Sequence, residues 1–277
     1  MISQDLSSFE PEVLKSATGM MSLRLKIIKW IQVFALRRAE TCIYQSSYAK
    51  LVINRAVKSA KESTVIAHGV GSPEARWNSE KFLSKKRDID KYKCLYVSPF
   101  AHYKKQLELV KAIRICQKQG LNLSIELIGG GESVYTDLLF EEIAVARQEG
   151  CNIAIKGFME HEKVLTAMSE ADIFIFPSVC ETFGITLAEA MYIGVPIICA
   201  EASSLPDLLE DGGLYCDPNK PVSISDCIME VISNPIDTVN RALLAHKISR
   251  KLSWRKASVE TFKVIERSSI GYQKANM

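Results

Sequence analysis

From Cys94 onward the chain alternates between short runs of consecutive apolar residues and longer stretches with helical spacing. The runs are "CLYV" from Cys94, "LSIELI" from Leu123, "NIAIKGF" from Asn152, "DIFIF" from Asp172, "VPIICA" from Val195 and "GLYCD" from Gly213. Between and after them lie "YKKQLELVKAIRICQKQG" (103–120), "VYTDLLFEEIAVARQEG" (134–150), "EHEKVLTAMSEA" (160–171), "GITLAEAMYIG" (184–194), "SLPDLLEDG" (204–212) and "SISDCIMEVISN" (223–234). A strand that is apolar on both faces must be covered on both faces, which is the condition of a parallel sheet. Strict strand–helix alternation then predicts an α/β fold, a doubly wound parallel sheet over 94–234.

Upstream, "TCIYQSS" (41–47), "SYAKLVINRAVKSA" (47–60) and "STVIAHGVG" (63–71) read as strand, helix and strand. They form the last piece of a partial second α/β domain within residues 1–71, with nothing before it expected to complete a sheet. Residues 1–18 read as a loose lead-in. Residues 72–93 are charged and read as an irregular linker, and 235–277 as one or two C-terminal helices with Trp254 and Phe262 as packing residues.

The net charge of +3 is too small to indicate nucleic acid as a partner, but it is unevenly placed: residues 1–60 hold nine Lys/Arg against four Asp/Glu. Much of that excess lies in "MMSLRLKIIKWIQVFALRR" (20–38). There Leu23, Ile27, Ile28, Trp30, Ile31 and Phe34 recur at near-helical spacing among Arg24, Lys26, Lys29, Arg37 and Arg38. This predicts a basic surface helix with one buried face, and also suits a helix lying on anionic lipid. Because it belongs to an incomplete domain, contact with a partner chain, a second copy or a membrane surface is expected there. Eight cysteines occur without a C-x-x-C pair, several within apolar runs. That pattern fits reduced, mostly buried thiols in a cytoplasmic protein. No apolar stretch reaches the ~20 residues needed to span a bilayer.

Ligands of open parallel sheets bind beyond the C-terminal strand ends. Three such loops stand out: Ser98–Lys105, Gly129–Glu132, and the stretch "FPSVCETFGITLAEAMYIGVP" (176–196). In the third, Gly184 lets the backbone turn into a helix whose first amides lack internal partners. The N–H groups of Gly184, Ile185, Thr186 and Leu187 then make a seat for phosphate. Glu181 lies just before this point and Glu189 one to two turns after it. A ligand with a diphosphate in the middle and a sugar at each end suits that order: a hexose at Glu181 and a ribose at Glu189. The alternative is that Glu181 is a surface charge and Glu189 a solvated helix residue. Ala188, Ala190 and Met191 favour burial of Glu189, and a buried carboxylate needs a partner.

The run from Glu181 to Ile198 resembles the E-x7-E signature of retaining glycosyltransferases of family 4, which have the GT-B fold. "LYVSPFAHYKKQLELVKAI", "IELIGGGE", "IAIKGFMEHEKVLTAMSEADIFIFPS" and "SLPDLLEDGGLYCDPNKP" are similar to the family's other donor-domain segments, in family order, and the likeness runs over about residues 40–265. It implies that residues 1–71 are the remnant of an acceptor domain and 94–234 the nucleotide-sugar domain. By resemblance Glu181 and Lys104 serve catalysis, Lys104 by stabilising the leaving nucleoside diphosphate and Glu181 by holding the transferred sugar. Glu189 would take the ribose hydroxyls, and the backbone at Phe183 and Gly184 the sugar. Thr186 and Leu187 would take the diphosphate, and Phe158 and Met159 the base. Ser98, Pro99 and Gly130 belong to the loops that border the donor. Pro99 stands where many members carry an arginine, a departure shared with a subgroup that has the Tyr103-Lys104-Lys105-Gln106 pattern. His68, in "IAHGV", is not assumed to replace the family's acceptor-side histidine; His102 and His161 read as surface residues, His102 in a ligand-facing loop. The resemblance implies hexose transfer from a nucleotide-sugar donor to a saccharide acceptor, as in bacterial surface polysaccharide synthesis, with no cofactor and no metal. A non-catalytic donor-binding module, or one subunit of a two-chain enzyme, is the alternative. A nucleotide-sugar epimerase of the same architecture fits the E-x7-E spacing less well.

Overall fold

The computed structural model describes residues 2–3, 5–57, 62–71, 76–85 and 90–275. Its larger sheet has six strands: β4 (Tyr92–Val97), β5 (Leu123–Ile128), β6 (Asn152–Gly157), β7 (Ile173–Phe176), β8 (Ile197–Ala200) and β9 (Leu214–Cys216). All pairs are parallel, in the order β6-β5-β4-β7-β8-β9. Helices α5 (Gln106–Lys118), α6 (Val134–Gln148), α7 (His161–Glu170), α8 (Ile185–Ile193), α9 (Leu205–Leu209) and α10 (Pro221–Ser233) alternate with these strands. Strands β7 and β8 are buried at every position, which is why their sequences show no polar alternation. The direction of strand addition reverses between β4 and β7, where Cys94 pairs with Ile173 and Leu95 with Phe174. That reversal opens a crevice beyond the strand ends.

The smaller sheet differs from expectation. Strands β2 (Thr41–Tyr44) and β3 (Glu62–Val65) flank α3 (Ser47–Val57), as predicted, with residues 58–60 of the predicted helix outside the described residues. A third strand, β1 (Ile2–Ser3), pairs parallel with β2, so the expected lack of any earlier strand is corrected. The lead-in is ordered too, since Leu6, Phe9 and Val13 are buried and helix α1 covers Pro11–Ser16; residues 1 and 4 lie outside the described residues. Two residues of strand and six of helix are too short to show a period.

Helix α2 (Gly19–Arg38) forms over the expected span but is turned the other way. Leu25 and Leu36 are its buried residues, whereas Leu23, Ile27, Trp30, Ile31 and Phe34 are 47–68% exposed. The inward side is fixed by the packing of Leu25 and Leu36 with Phe9 and Val13 and by the Ser8 Oγ bond to Gln32 Oε1, 2.7 Å.

Within 72–93, residues 72–75 and 86–89 lie outside the described residues. Between them α4 (Ser79–Leu83) buries Phe82, whose ring lies 5.3 Å from that of Trp77, so this part is packed rather than irregular. At the C-terminus, α11 (Pro235–Ser249) and α12 (Trp254–Ala275) supply the two predicted helices; residues 276–277 lie outside the described residues. Phe262 is no packing residue: it is 70% exposed and lines a hollow of about 260 Å³ where α12 stands off Ile43 and Ile66. Trp254 is half-exposed, with its ring 5.4 Å from His68. All eight cysteines are free thiols and all but Cys227 are buried.

Candidate functional site

The crevice at the β4–β7 reversal is built by the loops that leave those two strands. After β4 the chain makes a 3-10 turn at His102–Lys104 and then a left-handed residue, Lys105, with φ 59°. Helix α5 starts only at Gln106, so Lys104 precedes the helix instead of opening it. The Tyr96 hydroxyl donates to the Lys104 carbonyl at 2.8 Å and fixes the turn. The Lys104 ammonium lies 2.5 Å from Glu181 Oε1, and the two side chains are 12% and 14% exposed. The rings of Tyr103 and Phe176 stand 5.4 and 5.9 Å from the same nitrogen. The two residues assigned to catalysis, 77 positions apart in the chain, therefore meet directly. An ion pair this secluded is strongly destabilised when one member is removed.

The segment carrying Glu181 is held by three serines. Glu181 N–H donates to Ser203 Oγ at 3.1 Å, and the Ser204 hydroxyl reaches the carbonyls of Glu181 (3.0 Å) and Phe183 (3.2 Å). From the loop between β2 and α3, Ser46 Oγ donates to the Thr182 carbonyl at 2.6 Å. Gly184, at φ +94°, then turns the chain into α8. No side chain caps that helix, whose first internal bond at this end runs from Ala188 N–H to the Gly184 carbonyl. The amides of Ile185, Thr186 and Leu187 are thus unused by the helix and carry its positive dipole end. Leu187 and Phe183 anchor the turn in the core, while Ile185 is exposed and Thr186 half-buried.

Glu189 is the fifth residue of α8 and its side chain is 14% exposed. Its expected partner is found: His161 Nε2 lies 2.7 Å from Glu189 Oε1. His161 is a surface residue, as predicted, at 66% exposure, yet it is joined to a candidate site residue. Nothing in the sequence marks this pairing, because it crosses 28 positions from the start of α7 to α8.

The glycine turn interlocks with the first loop. Gly129 N–H donates to the Gly157 carbonyl at 2.8 Å, and Phe100 N–H to the Gly130 carbonyl at 2.8 Å. Gln106 Nε2 donates to the Pro99 carbonyl at 2.9 Å, and the Tyr135 hydroxyl donates to Gln106 Oε1 at 3.1 Å. Gln106 and Tyr135 were not singled out by sequence, although Gln106 closes the Tyr-Lys-Lys-Gln pattern. The Phe158 ring lies over Gly130, near enough that a Cβ there would stand 3.0 Å from the ring. Phe158 is 77% exposed, Met159 half-buried and Ser98 buried, so an exposed aromatic face borders the crevice. His68 packs edge-on against Phe183 at 5.4 Å, and burial holds its imidazole below the ordinary histidine pKa. His102 is exposed, its ring 5.8 Å from that of Tyr135.

The Lys104–Glu181 pair, the His161–Glu189 pair, the unused amides at the start of α8 and the exposed Phe158 ring all stand on the loops and helices that follow β4, β6 and β7. A model of the family described as Glycosyl transferases group 1 matches residues 78–249. Among curated proteins the chain is similar to the O-antigen chain mannosyltransferase B of Escherichia coli, 28% identical over 49% of this chain and 35% of that protein. It is also similar to the amylovoran biosynthesis glycosyltransferase AmsK of Erwinia amylovora, 27% identical over 68% of this chain and 48% of that protein. The chain thus spans half or less of the length of these two relatives. Among solved structures, sucrose-phosphate synthase from Thermosynechococcus elongatus superposes with a TM-score of 0.79 at 18% identity, covering 97% of this chain and 67% of that one. Anabaena Alr3699/HepE, solved in complex with UDP-glucose, superposes at 0.74 and 21% identity over 88% and 68%. The doubly wound α/β fold, in its GT-B setting, is the one expected from sequence. With the family model covering more than half of its residues, the chain belongs to the glycosyl transferases group 1 family.

Proposed function

We propose that this chain carries the donor-binding half of a retaining glycosyltransferase of family 4. In this reading it moves a hexose from a nucleoside-diphosphate sugar to a sugar or lipid-linked saccharide in bacterial surface polysaccharide synthesis. The observation that carries the reading is the Lys104–Glu181 pair set beside the uncapped N-terminus of α8. The diphosphate sits on the amides of Thr186 and Leu187 and draws Lys104 away from Glu181. The released Glu181 carboxylate accepts the hydroxyls of the hexose, beside the backbone of Phe183 and Gly184. Glu189 takes the ribose, the base lies along Phe158 and Met159, and Ser98, Pro99 and Gly130 close the side of the crevice. As the bond from the anomeric carbon to the phosphate oxygen breaks, Lys104 and the amides stabilise the charge that forms on the leaving group. The departing phosphate takes the proton of the acceptor hydroxyl on the same face, so the anomeric configuration is kept and no protein nucleophile is required. Names of relatives that refer to O-antigen and amylovoran support the polysaccharide setting.

The test is to supply the purified full chain with UDP- and GDP-hexoses and a lipid-linked saccharide, and to measure nucleotide release and the anomeric configuration of the product. Transfer with retention is expected; inversion would refute the mechanism. The share of the relatives' length that the chain spans favours a second reading, a donor-binding subunit of a two-chain enzyme. Donor binding without turnover by the chain alone selects that reading.

Helix α2 gives the proposal a location. No helix among the described residues is long and apolar enough to cross a membrane. The outward face of α2 nonetheless carries Met20, Leu23, Ile27, Trp30, Ile31 and Phe34, with Trp30 and Phe34 stacked at 5.7 Å. Exposed Arg24, Lys26, Arg37 and Arg38 stand beside them, and the helix has no acidic residue. An apolar face edged only by positive charge fits an anionic membrane surface. We expect the chain to sediment with phosphatidylglycerol-containing vesicles and not with pure phosphatidylcholine vesicles, with a blue shift of Trp30 emission. Changing Arg24, Lys26 and Arg38 to Gln removes about 3 kcal/mol of attraction, roughly a hundredfold in partitioning. Equal binding to neutral vesicles, or none to either, would exclude this location.

A further inference from the structure

The proposed ribose acid, Glu189, has one side-chain hydrogen bond among the described residues, the 2.7 Å contact between its Oε1 and His161 Nε2. A carboxylate can only accept, so Nε2 carries the proton and donates. Oε2 is left for a ligand. His161 opens α7 immediately after the loop that holds Phe158 and Met159, and α7 is packed against α8. The imidazole therefore ties the loop assigned to the base to the acid assigned to the sugar next to it. A glutamate side chain is flexible, and immobilising it on binding costs affinity that a pre-formed bond saves. The exposures, 66% for His161 and 14% for Glu189, show an open histidine holding a largely secluded acid.

We propose that His161 is a positioning residue for donor binding: it fixes the Glu189 carboxylate so that the second oxygen faces the vicinal hydroxyls of the ribose. This rests on the reading that Glu189 binds ribose. Its specific consequence is that the contribution of His161 exists only when the nucleotide has those hydroxyls.

The experiment is calorimetric titration of the full chain with UDP and GDP, each alongside its 2′,3′-dideoxy counterpart. The variants are His161→Ala, His161→Gln, Glu189→Gln and the double variant His161→Ala/Glu189→Gln. For the ribonucleotide that binds, His161→Ala weakens affinity about three- to tenfold, while the dideoxy form is unaffected. His161→Gln, which can still donate from its amide, recovers most of the loss. In the Glu189→Gln background, His161→Ala causes little further loss. Equal weakening of both nucleotide forms, or no weakening of either, would overturn the role of His161. If the wild-type chain binds ribo and dideoxy forms alike, the assignment of Glu189 itself fails. If Glu189→Gln abolishes the preference for ribose but His161→Ala does not touch it, only the inference about His161 fails. Absence of nucleotide binding by the chain overturns both.

Discussion

Replacing Lys104 by methionine is expected to lower transfer by roughly two to three orders of magnitude, the range seen when a single preorganised charge-stabilising group is lost. The same change should destabilise the fold, because Glu181 is left nearly enclosed, at 14% exposure, with no cation beside it. Breaking a secluded pair from one side costs about 3–5 kcal/mol, which for a chain of this size is a fall in Tm of roughly 5–9 °C. The two losses separate in the double variant Lys104→Met/Glu181→Gln. Neutralising the acid removes the uncompensated charge, so most of the lost Tm returns, whereas transfer stays low because the leaving diphosphate still lacks its cation. Glu181→Gln alone reports the competition built into the pair. Lys104 is then free for phosphate, so a bare nucleoside diphosphate binds as well as before or better, while the sugar nucleotide loses its advantage over the diphosphate. Thermal unfolding, diphosphate titration and steady-state transfer check the three variants. If Lys104→Met leaves transfer intact, the assignment of the cation is wrong.

What could be read from the sequence is what depends on neighbours along the chain. The apolar runs at Ile173–Phe176 and Ile197–Ala200 gave away a sheet buried on both faces, and each run of the larger sheet became a strand. The turn at Gly184 and the acids around it were legible because glycine, hydroxyls and carboxylates stand within one short segment. What escaped were contacts that only folding creates. Ser46, Ser203 and Ser204 hold the Glu181–Phe183 backbone from two other parts of the chain, and a serine in a loop carries no sign of which carbonyl it will meet. Gln106 and Tyr135 lock the first loop across a 29-residue separation. Helix α2 shows a different limit. Periodicity located its apolar stripe but not its direction, since burying Leu25 and Leu36 depends on Phe9 and Val13 in a segment too short to read.

Gly129 is where the crevice and the fold make the same demand, and Gly129→Ala is expected to have a severe effect for a single added methyl group. At φ +131° an alanine is strained, and its Cβ would stand 2.0 Å from the Ser98 carbonyl oxygen. That neighbour is backbone, so the clash cannot be relieved by a rotamer change; the Ser98–Pro99 segment has to move. Moving it breaks the Phe100 to Gly130 bond and the Gln106 grip on Pro99, and with them the loop that leads to Lys104. Gly120 provides the control. Its φ is +82°, yet a Cβ there would meet nothing within 4 Å, so Gly120→Ala suffers only the left-handed backbone strain. That strain amounts to about 1–2 kcal/mol, a few degrees of Tm, with nucleotide affinity unchanged. Gly129→Ala adds the collision to a comparable strain and should reach about 3–5 kcal/mol, the range of severe core lesions, together with at least a tenfold loss of nucleoside-diphosphate affinity in the fraction that remains folded. Parallel thermal unfolding and titration of the two variants decide the matter. Equal losses in both would mean that the close approach of the glycine turn to Ser98 is not what shapes the crevice.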